Sequence, residues 1–364
     1  MRRAIAVGLV ALPVAAAIVA AGGTPPGPEA DAFRLPQRLV DTALYGLGRP
    51  DGVAEQNRPY VPQYPLWTDG AAKARWVYLP PGTTIDVSNM DDWDFPVGTK
   101  FWKEFAFGGR KVETRLLWKV SASRWVAASY VWNEEGTEAT LAPPQGVRGI
   151  VEVAPGRRHS IPSRADCAAC HGERRTAPLG FNPLQLSTDR DPNAVHAEPL
   201  LPGMVTLATL VDEGRLSPAA RGLVDRPPRI AASHPRTRAV LGYLSANCGG
   251  CHDGSDSLSV AIPSLRYPAL LRDGDAVAQS LVSRPTKWQV PGRPDGTSVL
   301  IDPGAPEQSA ILARMHSRRP SSQMPPLGTV VRDREAIDQL TTWVEHDVQA
   351  LGPGRPASRT LTRR

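Results

Sequence analysis

The chain has 364 residues, enough for more than one core of ordinary size. Apolar residues make up 41% and charged residues 21%, a globular composition that excludes a disordered chain. The net charge of +6 comes with no nucleic-acid motif, which leaves solubility, acidic redox partners or anionic membrane surfaces as its uses.

The N-terminus reads as an export signal. Arg2 and Arg3 form a positive start, Ala4 to Ala21 is apolar, and small residues at Ala20, Ala21 and Gly22 suit a signal peptidase. Residues 1–23 are therefore predicted to be a cleaved signal peptide, with an uncleaved membrane anchor as the alternative. No later segment is long and apolar enough to span a bilayer.

Residues 31–160 carry strand periodicity. Lys111 to Lys119 and Arg124 to Trp132 alternate, joined by Ser121-Ala122-Ser123; Arg75 to Leu79, Thr83 to Val87 and Lys100 to Phe107 also read as strands. Pro80-Pro81-Gly82, Gly98 and Gly108-Gly109 punctuate them. The expectation is an antiparallel β domain, sandwich-like. It holds Trp67, Trp76, Trp93, Trp102, Trp118, Trp125 and Trp132, which fit core packing better than sugar stacking. Asp91-Asp92-Trp93-Asp94 reads as an acidic loop rather than a cation site.

The four cysteines fall into two pentapeptides, Cys167-Ala168-Ala169-Cys170-His171 and Cys248-Gly249-Gly250-Cys251-His252. Cys-x-x-Cys-His is the signature of c-type haem attachment. Two sulfurs about one helical turn apart reach the two vinyl groups as thioethers, and the adjacent His lies under the iron as proximal ligand. A four-cysteine zinc site is the rival, but it would leave a His after each pair as coincidence. Two covalently bound haems are expected, on Cys167, Cys170, Cys248 and Cys251, with His171 and His252 on the irons.

Residues 161–234 form the first haem region. Pro162 and the polar run before Cys167 do not make a long leading helix, so this haem lacks a full cytochrome frame. Its sixth ligand is sought among His196, Met204 and His234, with His196 preferred for its turn-like setting; an open sixth position is the alternative.

Residues 235–351 have the order of parts of a c-type cytochrome domain. A helix is predicted over Thr237 to Asn247, with Gly242 permitting close approach of another helix. A last helix runs from a cap at Asp333 through Val348, stopped by Gly352 and Pro353. Met324, in Gln323-Met324-Pro325-Pro326-Leu327-Gly328, is the expected sixth ligand of the second haem; Met315 is expected to pack. Residues 352–364 form a basic tail. The predicted fold class is α+β multidomain: the β domain, then an all-α c-type cytochrome region carrying both haem motifs.

Several stretches together resemble a little-characterised bacterial family of exported di-haem c-type cytochromes with an N-terminal β-rich domain. They include Tyr64-Pro65-Leu66-Trp67-Thr68-Asp69-Gly70, Trp93-Asp94-Phe95-Pro96-Val97-Gly98-Thr99, Val131-Trp132-Asn133-Glu134-Glu135-Gly136-Thr137 and Ile161-Pro162-Ser163-Arg164-Ala165-Asp166-Cys167. The resemblance runs from about Tyr60 to Val348 and implies haem binding and electron transfer, with Met324 as an iron ligand. A periplasmic electron carrier serving redox partner proteins is expected, with peripheral membrane association open. The alternatives are a peroxidase-like enzyme working at the first haem, and a β-domain binding module with a redox head.

Overall fold

The computed structural model describes residues 33–46, 52–90, 92–171, 177–252 and 263–351. The predicted signal peptide 1–23, the tail 352–364 with the helix stop at Gly352 and Pro353, and Asp91 of the acidic loop lie outside the described residues.

Ten strands are described: β1 (Arg58–Pro59), β2 (Ala72–Tyr78), β3 (Ile85–Asp86), β4 (Lys100–Phe107), β5 (Arg110–Lys119), β6 (Trp125–Trp132), β7 (Ala139–Leu141), β8 (Val147–Ala154), β9 (Arg157–Ile161) and β10 (Leu216–Ser217). Six form one sheet in the order β1-β2-β4-β5-β6-β7, every neighbour antiparallel. The alternating runs make its centre. Gly108 and Gly109, both at positive φ, turn β4 into β5, a conformation glycine adopts without strain.

The two faces differ. Trp102, Leu116, Tyr130 and Trp132 are buried on one, and a short 3-10 turn at Leu39–Thr42 covers them. Trp102 Nε1 donates to Thr42 Oγ1 at 3.0 Å, and Tyr45 meets the Trp132 ring edge-on. The other face is apolar at one end only, where Val77, Phe101 and Leu117 pack with Trp93, Phe95, Phe181, Leu207 and Leu210. None of the seven tryptophans in this part is exposed.

The predicted fold class needs correction on two points. The β part is not a sandwich, because coil, short helices and only the two-residue strands β3 and β10 pack on the large sheet among the described residues; β8–β9 is a separate hairpin. Nor is the region after it all-α. Strand β10 pairs in parallel with β3, Leu216 opposite Ile85, and Val282, Pro285, Val299, Ile301 and Ser309 form isolated bridges. Prolines and glycines interrupt these stretches too often for helix, so backbone groups find partners across bridges instead.

Seven α-helices are described: α1 (Arg164–His171), α2 (Leu207–Asp212), α3 (Gly222–Asp225), α4 (Pro235–Asn247), α5 (Tyr267–Leu281), α6 (Ala310–His316) and α7 (Arg334–His346). Asp333 caps α7 by accepting from Ala336 N. Trp343 of α7 donates Nε1 to Thr237 Oγ1 of α4 at 3.0 Å, fixing where these two helices meet. Helix α4 is buried on all sides from Thr237 to Leu244, because α5, α7 and a segment from the β part surround it. That segment supplies Tyr64, whose ring lies over Gly242: a Cβ there would fall 2.1 Å from Tyr64 Cε1. The partner of Gly242 is thus an aromatic ring, not the helix expected.

Candidate functional site

Helix α1 starts where its sequence caps it. Ser163 Oγ accepts from Asp166 N at 3.1 Å, while the Asp166 carboxylate accepts from Ser163 N at 2.9 Å, so two otherwise orphaned N–H groups are satisfied reciprocally. The preceding segment is strand β9, consistent with no long leading helix. Cys167 and Cys170 stand one turn apart on α1, and His171 ends it. His171 Nδ1 lies 2.7 Å from Ala177 O. A carbonyl only accepts, so Nδ1 carries the proton and Nε2 presents its lone pair, the arrangement in which imidazole ligates a metal. Burial lowers the pKa of His171, which favours that neutral form.

The second motif continues from α4. Cys248 N donates to Leu244 O and His252 N donates to Cys248 O, both at 2.8 Å, so the chain makes another helical turn through the motif. Gly249 is needed for this path: a Cβ would lie 2.6 Å from Ser245 O and 2.8 Å from Leu265 O.

The fold brings the two motifs together. The Cys170 thiol hydrogen-bonds the Cys251 thiol, and no disulfide involves any of the four cysteines. Gly250 faces Leu179, just downstream of the first motif, with room for a Cβ at 3.7 Å. The hydrogen bond to Cys251, then burial, pushes the Cys170 thiol far up; burial pushes Cys248 to about 12 and also raises Cys167. Cys167, Cys170 and Cys248 are thus held as neutral thiols. At each motif, paired thiols beside a histidine supply the donor set that covalent haem attachment uses.

Met324 is half-buried in a braced loop. Its N–H donates to Arg314 O, and the Gln323 amide bridges the Pro325, Pro326 and Thr329 carbonyls. Met315 packs in the core. His196 is held elsewhere: Nε2 lies 2.8 Å from Asp333 Oδ1, Nδ1 lies 3.3 Å from Glu335 Oε2, and the ring stacks on Trp67. Both of its ring nitrogens are thus engaged by carboxylates. Met204 Sδ accepts from Leu201 N, and His234 is exposed beside Asp347.

Sequence reasoning missed the charged groups beside the first motif. Asp69 Oδ1 accepts from Val330 N and Val331 N of the Met324 loop, and its Oδ2 accepts from His159 Nδ1 at 2.9 Å. His159 Nε2 donates to Glu113 Oε1 at 3.2 Å, and Glu113 pairs with Arg115. Arg115 in turn acts electrostatically on Cys167, Cys170 and His171. Both carboxylates accept, so His159 is an imidazolium. Burial works against its charge, but the bonds to Asp69 and Glu113 outweigh it and raise its pKa. Burial likewise opposes the Glu113 charge, but Arg115 and His159 outweigh it and lower that pKa. The available signal was inward-facing charge on otherwise apolar strands, at Lys103, Glu113 and Arg115.

No family model, curated protein or solved structure matches this chain.

Proposed function

We propose that this chain is an exported di-haem c-type cytochrome that carries single electrons through two covalently attached haems. The observation that carries the reading is the convergence of the Cys167 and Cys248 motifs, far apart in sequence, until Cys170 and Cys251 touch. Two separate disulfide or redox pairs would have no need of such an approach, whereas cofactors that exchange electrons must lie close together. When bound, haem iron supplies one-electron chemistry whose potential the axial ligands and surroundings set. Cys167 and Cys170 would fix one haem and Cys248 and Cys251 the other. His171 and His252 would hold the irons from one side. Met324 would complete the second site, where a thioether favours the ferrous state.

The net charge of +6 suits acidic redox partners in the periplasm and peripheral contact with anionic membrane. The N-terminal signal would deliver the chain there. Haem stoichiometry tests the reading: coexpression with a c-type maturation system yields two haems per chain, each lost when both cysteines of its motif become alanine. A purified chain without haem contradicts it.

A second reading rests on His196. With its nitrogens held by Asp333 and Glu335, His196 would leave the sixth position of the first haem open, and an open iron suits peroxidase-like chemistry. A high-spin ferric signal with cyanide binding at one haem favours it; two low-spin haems inert to cyanide refute it.

A further inference from the structure

At one end of the large sheet, four cations crowd together and only two of them have an ion-pair partner in the fold. Arg75 of β2, Lys103 of β4 and Arg115 of β5 are direct cross-strand partners, so three like charges stand in one row; Lys73 lies one step diagonally from Lys103. Like charges placed opposite each other destabilise a sheet. Two of these are neutralised. Arg75 makes a bidentate pair with Glu198 at 2.8 and 2.9 Å, and Arg115 pairs with Glu113. Among the described residues, no carboxylate lies within ion-pair distance of Lys73 or Lys103. Lys73 donates only to Ala71 O, and Lys103 sits over the Phe105 ring. Burial and the neighbouring Arg75 lower both lysines, Lys73 to about 8, as expected for half-buried cations waiting for a counter-ion.

The row also has a direction. Helix α1, which carries Cys167, Cys170 and His171, packs against β6, and the sheet order β6-β5-β4-β2 then sets Arg115, Lys103 and Lys73 on successively farther strands. Lys73, farther along, lines a cavity of about 280 Å³ with Trp67, Gly70, His196 and Glu198. A c-type haem has the matching order: vinyl carbons at the cysteine edge, iron over the histidine, two carboxylates at the opposite edge.

We propose that Lys73 and Lys103, flanked by Arg75 and Arg115, bind the two propionate carboxylates of the haem attached to Cys167 and Cys170. This rests on the di-haem reading above. The lysines take up charge that the sheet otherwise leaves uncompensated, and they favour the reduced state of that haem by placing cations at its edge.

The test uses haem-loaded protein with Lys73→Gln, Lys103→Gln, the double variant and Lys103→Arg. Intact mass, spectroelectrochemical potentials and infrared redox-difference spectra of haem labelled with ¹³C in its propionates are recorded for each. The expected result is two haems in every variant, a lower potential for one haem in the glutamine variants, a shift in its labelled carboxylate bands, and recovery in Lys103→Arg. Wild-type potentials and carboxylate bands in the double variant overturn the proposal. If the variants do not fold, the wild-type bands decide, since solvent-like propionates on both haems also overturn it. A free carboxylate is the rival occupant: a wild-type potential that responds to added acetate refutes binding by the tethered groups. A wild-type chain with no haem adduct instead removes the di-haem reading itself.

Discussion

Gly242→Ala should be costly although it sits inside a helix. On helix propensity alone alanine gains about 1 kcal/mol over glycine. Here the added Cβ would lie 2.1, 2.3 and 2.4 Å from Tyr64 Cε1, Cζ and Cδ1. The ring cannot simply turn away. Tyr64 is 2% exposed, its hydroxyl donates to Asp191 Oδ2 at 3.0 Å, and its N–H donates to Gln185 Oε1 at 2.8 Å. Overpacking of this kind costs about 1–3 kcal/mol. Pulling the hydroxyl off buried Asp191 adds about 1–3 kcal/mol. After the propensity gain, the net loss should be about 1–5 kcal/mol. Urea unfolding of the haem-loaded protein, followed by tryptophan fluorescence and Soret absorbance, measures it. In a Tyr64→Leu background the penalty should shrink, because the clashing ring is gone. A Gly242→Ala variant about 1 kcal/mol more stable than wild type would refute the contact between this segment and α4.

Stability should depend on pH through the His159 cluster. The folded pKa of His159 is raised, so its contribution is complete below the ordinary value of 6.5 and is lost as pH climbs through the raised folded value. Glu113 is lowered, so its contribution is present above its ordinary 4.5 and is lost as pH falls through the lower folded value. His159→Gln should cost about 2 kcal/mol near neutrality and flatten the alkaline limb; unfolding midpoints measured against pH check this, and an unchanged limb rules His159 out as its source. Met324→Ala should lower the potential of one haem and remove its ferric sulfur-to-iron charge-transfer band, and unchanged spectra and potentials would remove Met324 as a ligand. Asp333→Ala should cost about 1 kcal/mol through the lost cap of α7, with more from His196 losing its partner. Asp333→Asn should retain most of the cap, so an equal loss in thermal unfolding of both variants would place the effect elsewhere.

The parts legible in the sequence were those set by neighbours along the chain. Asp333 and the apolar stripe after it marked α7 because a cap and its helix are contiguous. Strand β4 spans the predicted Lys100–Phe107, since alternation and flanking glycines define a strand locally. The sandwich was misjudged because alternation shows that a sheet has an inner face but not what covers it. Here the cover is the Leu39–Thr42 turn on one side and Phe181, Leu207 and Leu210 on the other. The partner of Gly242 was equally hidden, as Tyr64 arrives from the opposite half of the chain.

Within the candidate site, the two Cys-x-x-Cys-His pentapeptides were legible because each is contiguous in sequence. The sixth-ligand candidates lie outside any such local pattern, and the contacts of His196 with Asp333 and Glu335 come from a distant segment that the sequence does not reveal. Asp69, Glu113 with Arg115, and His159 come from three separate segments, a loop, β5 and β9. Only folding places them between the Met324 loop and the first motif.

The intact mass of the mature protein, purified after coexpression with a c-type haem maturation system, bears most directly on the central claim. The account predicts one chain carrying the added mass of two haems, and a single remaining haem when Cys167 and Cys170 are both alanine. A haem-free chain, whether holding zinc or two disulfides among its four cysteines, would contradict it.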